Sequence, residues 1–277
     1  MRLIGKSADQ LRRHRAPRVK AIRNFIQVIG DLPISAITTR DLFDFREWWL
    51  QRIAAGNVGK NSANKDFSYL LAMWRAVARA HDLNLSFKTD GLAFPEGKQA
   101  VRPPFSTGWI REHLLAPGAL TGMNIEARTI LLVMINTGAR PSEIAGLSSD
   151  RIILDEPIPR IRIAAEGRTL KSEYADREIP LVGVSLDAIR KCPNGFPTYA
   201  DNPALSATIN KFLSESGLRE TPDHSLYSLR HSFESRMMKA DFPERLKADL
   251  MGHRLKRERY GEMDFAHMRD WLLKISI

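Results

Sequence analysis

An arginine follows a glycine break in residues 137–147, which read TGARPSEIAGL. Pro141 is typical of a first helical position, so the spacing predicts a helix that begins directly after Arg140 and runs through Leu147. The unpaired N–H groups of a helix start carry partial positive charge, and Arg140 beside them could bind a phosphate oxygen. Glu143, three residues on, could hold the guanidinium. An ordinary surface ion pair is the alternative for this motif alone.

Three further clusters carry groups suited to phosphate chemistry. Lys171 lies at the predicted turn of a β-ribbon, from which a lysine can reach a groove and protonate a leaving oxygen. Arg230 and His231 form a basic pair at a helix start in YSLRHSF. His253, in LMGH, precedes the basic run RLKRER and then Tyr260, whose phenolate is favoured by nearby positive charge. For each cluster taken singly, the alternative to a role in phosphate chemistry is that its side chains are simply solvated or part of the core.

Several large enzyme classes lack their usual motifs here. The sequence contains no GxxxxGK[ST] phosphate loop, no GxGxxG, no HExxH and no GxSxG. Nucleotide hydrolysis, dinucleotide redox chemistry, zinc proteolysis and α/β-hydrolase chemistry are therefore not indicated. The single cysteine, Cys192, excludes an internal disulfide and agrees with a reducing compartment. We expect any enzyme with this sequence to work without a cofactor or metal.

The net charge of +10 is concentrated in the N-terminal third of the 277-residue chain. Residues 1–102 carry 18 Lys and Arg against 9 Asp and Glu, and the rest of the chain is nearly neutral. Such an excess favours a polyanionic partner, most often nucleic acid. A solvated helix face is the alternative for the basic run near the N-terminus. The candidate DNA-contacting residues in that run are Arg12, Arg13, Arg15, Arg18, Lys20 and Arg23.

A stretch with prolines and glycines at residues 89–106 predicts a linker between an N-terminal domain, 1–88, and a C-terminal domain, 107–277. The longest aliphatic run, residues 130–135, is far shorter than the roughly 20 residues of a membrane-spanning helix. The N-terminus has no apolar stretch behind its basic residues, so no secretory signal is predicted.

The N-terminal domain is predicted to be helical. Thr38 and Asp41 have capping-box spacing, and apolar residues then recur at helical intervals until near Gly56. A second apolar stripe predicts a helix over residues 62–81, and we expect its aromatic residues to form core rather than stack on bases. The stripe comprises Phe67, Leu70, Leu71, Trp74, Val77 and Ala78.

The C-terminal domain is predicted to be mixed. Residues 127–136 predict an apolar helix that stops at Gly138, and the alternation in residues 158–182 predicts a β-ribbon of two or three strands. The predicted fold class is therefore mostly α with a small antiparallel β-sheet. Further helices are predicted at residues 202–217, 229–240, 243–251 and 265–275.

Together and in this order, the motifs resemble those of the tyrosine recombinase family, the phage-integrase-like recombinases. TGARPSE resembles the family's first-arginine box, YSLRHSF its second-arginine box, and LKSEYADREIPL its β-hairpin lysine segment. LMGH matches the glycine-histidine box, and Tyr260 followed by Gly261 matches the nucleophile position. The resemblance covers residues 103–277 by motif, and the N-terminal domain is similar to the family's helical core-binding domain.

The resemblance implies a site-specific DNA recombinase or integrase. Tyr260 would attack a DNA phosphodiester, forming a 3′-phosphotyrosyl link and a free 5′-hydroxyl without ATP or metal. Arg140 and Arg230 would bind the non-bridging oxygens, Lys171 would protonate the departing oxygen, and His253 would orient the phosphate or accept the tyrosine proton. Double-stranded DNA, a homo-tetramer on paired sites and a cytoplasmic, DNA-associated location are also implied. The supporting positions are Glu143, Tyr227 and His231.

Two positions depart from the family's pattern. Tyr227 stands three residues before Arg230, where the family usually has histidine, and the seven-residue interval from His253 to Tyr260 is shorter than usual. These departures leave open a DNA-binding protein of the same fold that has lost catalysis. A type IB topoisomerase-like relaxing enzyme shares the chemistry, and a basic RNA-binding or scaffold protein would account for the charge alone.

Overall fold

The structure is a computed structural model that describes residues 5–95, 97, 102–164, 176–255 and 264–277. The chain divides into two compact units, residues 10–100 and residues 1–9 with 101–277, called here the N-terminal and C-terminal units. Parts of the predicted linker belong to their cores: Leu92 and Phe94 are buried in the N-terminal unit, and Phe105 is buried in the C-terminal unit.

Three helices account for most of the N-terminal unit: α1 (Ala8–Ile29), α2 (Thr39–Ala54) and α3 (Lys60–Ala80). The predicted capping box at the start of α2 is confirmed. The Thr38 hydroxyl accepts a hydrogen bond from the Asp41 amide, and the Asp41 carboxylate accepts one from the Thr38 amide at 2.7 Å. These bonds satisfy N–H groups that the first turn of a helix leaves without partners.

Aromatic side chains form the core of the N-terminal unit, as predicted. Phe25 makes edge-to-face contacts with Phe45 and Trp74, with ring centroids 5.4 and 4.9 Å apart. Phe45 packs on Phe67 in the same way at 5.3 Å. Val77, a member of the predicted stripe, lies at its edge and is 37% exposed.

The C-terminal unit is built around α5 (Ile125–Thr137), which contacts α7 (Gly183–Ile189) and α9 (Ser228–Lys239). Nine of its residues are buried, on every side of the helix, so α5 lacks the apolar stripe of a surface helix. The other helices are α4 (Thr107–Trp109), which continues as a π-helical turn (Ile110–Leu114), α6 (Pro141–Ala145), α8 (Leu205–Glu215), α10 (Glu244–Met251) and α11 (Phe265–Lys274).

A small sheet completes the C-terminal unit. Strands β1 (Ile152–Ile153), β2 (Arg160–Ile163) and β3 (Arg177–Pro180) are antiparallel and lie in that order. Ile161 pairs with Ile179 and is buried with it, and β3 contacts α10 and α11. The predicted fold class, mostly α with a small antiparallel β-sheet, is thus confirmed.

Most helix limits in the C-terminal unit agree with the sequence prediction to within three residues. This includes α6, which ends at Ala145, two residues before the predicted end at Leu147. The short helices α4 and α7 were not predicted. In the part of the chain that the structure describes, every helix is too short or too polar to cross a membrane.

Candidate active site

Arg140 stands at the N-cap of α6, two residues after Gly138 ends α5 in a left-handed conformation. Its Nη1 donates to Glu143 Oε1 at 2.6 Å, and its backbone amide donates to Glu143 Oε2 at 2.8 Å. The predicted contact is therefore confirmed, but the side chain of Glu143 is only 3% exposed, so this is not a surface ion pair. The Arg140 Nε is buried and has no hydrogen-bond acceptor among the described residues.

A second arginine, Arg177 on β3, binds the same carboxylate. Its Nη2 donates to Glu143 Oε2 at 2.9 Å, and its Nε donates to the Leu250 carbonyl at 2.9 Å. Burial acts to raise the pKa of Glu143, but the charge and hydrogen bonds of Arg177, together with Arg140, outweigh burial and hold that pKa at about 2. Glu143 is therefore a carboxylate throughout the physiological pH range.

Arg177 is not among the residues predicted from the sequence, although the β-ribbon pattern carries a signal for it. Side chains two apart in a strand point to the same face, so Arg177 shares the inward face of Ile179. A charged residue at an inward position requires a buried partner, because an unpaired buried charge is costly. That partner is Glu143.

Arg230 lies in the first turn of α9 and is 2% exposed. Its Nη1 donates to the Gly138 carbonyl at 2.6 Å, and its Nη2 donates to the Met251 carbonyl at 2.7 Å. The same Nη2 lies 3.1 Å from His253 Nε2. Burial and then the positive charge of Arg140 lower the pKa of Arg230 to about 10, so its guanidinium remains charged at neutral pH.

His253 follows Gly252, which ends α10 in a left-handed conformation, and its side chain is accessible to solvent. Burial of part of the ring and then the charge of Arg230 lower the pKa of His253, while Glu234 opposes them. Because a guanidinium can only donate, the Nε2 that faces Arg230 must be the accepting nitrogen. This assigns the proton of the neutral ring to Nδ1, which is then a donor.

Tyr227 and His231 lie at the start of α9 beside Arg230. Their rings contact edge-to-face with centroids 5.4 Å apart, and both residues are half-buried. Burial, opposed by Glu234 and reinforced by Arg230, lowers the pKa of His231. His231 is therefore a neutral neighbour of the arginine cluster at pH 7.

His224, the other histidine of this region, has a structural role. It is buried, and its Nδ1 accepts from the Thr221 amide at 3.0 Å, so the proton is on Nε2 and donates to the Pro104 carbonyl at 3.2 Å. Its ring also packs on Phe105, with centroids 4.5 Å apart. Both nitrogens are thus used in fixing the chain before α4.

The structure brings Arg140, Glu143, Arg230 and His253 together and adds Arg177 to them. Lys171 and Tyr260 lie outside the described residues. Across the described ranges, no group of three or more His, Cys, Asp or Glu side chains could hold a metal ion.

The candidate DNA-contacting residues all lie on α1 in the N-terminal unit. Most are exposed, on faces away from the buried Ala21 and Phe25. Arg18 differs because it lies beside the buried stripe: its guanidinium is 4.9 Å from the Tyr69 ring centroid and donates to the His14 carbonyl. The exposed members are Arg12, Arg13, Arg15, Lys20 and Arg23.

We predict that Gly138→Ala destabilises the C-terminal unit by about 3 kcal/mol, because a left-handed conformation is strained for alanine and the core is already packed. Gly138 has φ of 59°, and an added Cβ would overlap the buried ring of Phe233. Gly217→Ala is the matched control, since Gly217 has φ of 66° and open space around it. It should cost only about 1 kcal/mol. Equal losses in urea unfolding would contradict the proposed overlap.

Comparison with known proteins gives a family. Residues 116–259 match the model of the phage integrase family. The chain is also 27% identical over 150 residues to a protein named tyrosine recombinase XerC from Neisseria meningitidis serogroup B, a match that covers 49% of the chain and 47% of that relative. The chain therefore spans about half the length of this curated relative.

Solved structures give the fold. The chain matches the Tn1549 transposon integrase in complex with circular intermediate DNA with a TM-score of 0.63 at 16% identity, over 93% of each chain. It matches a lambda integrase dimer bound to a COC′ core site with a TM-score of 0.59 at 16% identity, over 93% of this chain and 87% of that one. The fold is that of the integrases. Because the family model covers more than half of the sequence, the chain belongs to the phage integrase family. The family match ends one residue before Tyr260.

Proposed function

We propose that this protein is a site-specific DNA recombinase that cleaves and rejoins DNA strands through a 3′-phosphotyrosyl intermediate. The observation that carries the proposal is the state of Arg230. It is a buried cation whose hydrogen bonds, within the described residues, go to carbonyls and a neutral histidine, and Glu143, the carboxylate that faces it, is already bound by Arg140 and Arg177. A buried charge of this kind requires an anion, and a DNA phosphate supplies one.

The charges around Arg230 suit a phosphate in its transition state. Arg140 and Arg177 share the Glu143 carboxylate, and the charge of Arg140 is close enough to lower the pKa of Arg230. A pentavalent phosphorane carries more negative charge than the ground-state diester. Preorganised guanidiniums therefore bind the transition state more strongly than the substrate, which is the requirement for catalysis.

The covalent step is assigned from the family's pattern. Tyr260 loses its proton to solvent, and its phenolate oxygen forms a bond to phosphorus as the bond from phosphorus to the 5′-oxygen breaks. Lys171 gives a proton to the departing 5′-oxygen. The bond energy is kept in the phosphotyrosyl ester, so rejoining to another 5′-hydroxyl needs no ATP or metal. His253 donates through Nδ1 to a phosphate oxygen, because its Nε2 is occupied by Arg230. The geometry thus favours an orienting role for His253 over that of proton acceptor.

The proposed partner is double-stranded DNA, bound through phosphates by the exposed cations of α1. Exchange between two duplexes requires four strand cleavages, so we propose a homo-tetramer on paired sites. The protein would then work where the DNA is, in the cytoplasm.

The test uses a pool of double-stranded oligonucleotides of randomised sequence, each carrying one nick. Cleavage near the nick releases the short strand that carries the 5′-hydroxyl, so the ends cannot be rejoined and the adduct accumulates. SDS-resistant, protease-sensitive adducts are isolated and their DNA is sequenced. We expect wild-type protein to enrich a defined sequence and Tyr260→Phe to form no adduct. An adduct that persists in Tyr260→Phe would contradict the nucleophile assignment.

A DNA-binding protein without catalysis is the second candidate, and Tyr227 at the usual histidine position favours it. This candidate predicts sequence-selective binding of the same pool with no adduct. Relaxation of supercoiled DNA without exchange between paired selected sites would instead identify a topoisomerase-like enzyme.

Binding through α1 predicts a specific salt dependence. Arg15→Ala combined with Arg23→Ala, two exposed positions about two turns apart on α1, should reduce the slope of log affinity against log salt concentration by about 2. Arg40→Ala in α2 is the control, because that exposed arginine is paired with Asp44. Fluorescence anisotropy with the selected duplex measures the slope. An unchanged slope in the double variant would place the phosphate contacts elsewhere.

A further inference from the structure

Arg177 joins three parts of the C-terminal unit through one buried guanidinium. Its side chain is 5% exposed on β3. Nη2 binds the Glu143 carboxylate in α6, and Nε binds the Leu250 carbonyl in α10, both at 2.9 Å. The two nitrogens lie in one rigid plane, so the position of one contact fixes the direction of the other.

The contact with Glu143 determines how that carboxylate meets Arg140. Glu143 Oε2 accepts from Arg177 and from the Arg140 amide, which leaves Oε1 for the Arg140 side chain. A carboxylate is planar, so holding Oε2 from two directions also fixes Oε1. Arg177 therefore sets the position of the Arg140 guanidinium without touching it.

The contact with Leu250 fixes the position of the segment that carries His253. The last carbonyls of a helix have no partner within the helix. Two consecutive ones at the end of α10 are bound by arginines: Leu250 by Arg177 and Met251 by Arg230. Gly252 then turns the chain, and His253 meets Arg230. The segment that carries His253 is thus held by two guanidiniums from different elements.

We propose that Arg177 is a positioning residue for DNA strand cleavage, which fixes Arg140 through Glu143 and His253 through the end of α10. The proposal rests on the proposed recombinase function. Lysine cannot replace Arg177, because one ammonium group cannot bind the Glu143 carboxylate and the Leu250 carbonyl together in a fixed plane.

The variants are Arg177→Met and Arg177→Lys, with Arg190→Met as the control. Arg190 is an exposed arginine at the end of α7, so its removal takes one charge from the same unit without touching the cluster. With the duplex selected by wild-type protein at saturation, we expect Arg177→Met to form the adduct about 100-fold more slowly, the cost of a displaced reacting geometry. DNA affinity should stay close to that of wild type, and the control should match wild type in both.

The pH profile separates positioning from loss of folded protein. The charged groups that face Glu143 are Arg140 on α6, Arg177 on β3 and Arg230 on α9, and His253 adjoins Arg230. Burial raises the pKa of Glu143, and without the opposing charge of Arg177 that pKa is higher, so Glu143 takes up a proton at higher pH. On the acid side of the pH profile, the pH at which adduct formation slows (the acid limb) should therefore be higher in Arg177→Met than in wild type. It should shift less in Arg177→Lys and remain unchanged in Arg190→Met.

Two further measurements complete the test. Arg177→Met combined with Glu143→Gln should slow the reaction by less than the product of the two single effects, because Arg177 acts on Arg140 through Glu143. Amide hydrogen exchange at residues 248–253 should be faster in both Arg177 variants and unchanged in Arg190→Met, whether or not DNA is cleaved.

If wild-type protein forms no adduct, the recombinase function has failed, and hydrogen exchange still tests whether Arg177 fixes the end of α10. A rate loss that only follows the folded fraction, with the acid limb and the exchange unchanged, would overturn the proposal.

Discussion

Arg140→Ala should slow adduct formation about 1000-fold while DNA affinity falls only a few-fold, because a preorganised donor acts mainly on the transition state. Arg140 is the more accessible of the two arginines assigned to the phosphate: its side chain is 15% exposed, whereas Arg230 is 2% exposed. Its loss removes one phosphate contact among the several that hold DNA. It also leaves Glu143 bound to Arg177, so the fold should survive.

Single-turnover adduct formation and anisotropy with the same selected duplex measure the two quantities. Arg140→Lys is the informative companion, since it keeps the charge but loses the fork that binds Glu143 and a phosphate oxygen together. Its rate should lie between those of wild type and Arg140→Ala. If affinity collapsed in parallel with the rate, Arg140 would be a general DNA-binding residue and not a catalytic one.

Local sequence signals were enough to predict most elements of the fold. The capping box at Thr38 and the glycine stop at Gly138 depend on contacts within one turn, so they can be read from spacing. No limits were predicted for α1, and the structure shows it continuing through Pro17, a residue type that usually breaks a helix. The burial of Phe94 in the N-terminal core could not be predicted either, since it depends on packing across distant segments.

The candidate site likewise contains some contacts that local spacing predicts and others that it does not. The pair of Arg140 and Glu143 follows from i,i+3 spacing and is observed. The contacts of Arg230 with Gly138 and Met251 join residues 92 and 21 positions apart, which no local pattern specifies. Family motifs named Arg230 and His253, but only the fold shows that His253 turns its accepting nitrogen to Arg230.

Glu143→Gln should destabilise the C-terminal unit by about 3 kcal/mol near pH 7, because it leaves buried arginines without their carboxylate. The folded-state pKa of Glu143 is about 2, below its usual 4.5. A group whose pKa is lowered on folding stabilises the protein above its unfolded pKa and loses that contribution as pH falls toward the folded value. The difference between wild type and Glu143→Gln should therefore be full above pH 4.5 and shrink between pH 4.5 and about 2.

Glu215→Gln provides the matched control, because Glu215 makes the same kind of ion pair on the surface, 3.8 Å from Lys211 and 66% exposed. An exposed pair contributes at most about 1 kcal/mol, so this variant should unfold almost as wild type does. Urea unfolding curves above and below pH 4.5 measure both variants. A Glu143→Gln deficit that stayed constant through this range would mean that the lost contact is steric rather than ionic. A deficit no larger than that of Glu215→Gln would mean that Arg140, Arg177 and Arg230 do not depend on Glu143 for their charge balance. Other groups would then have to neutralise this cluster.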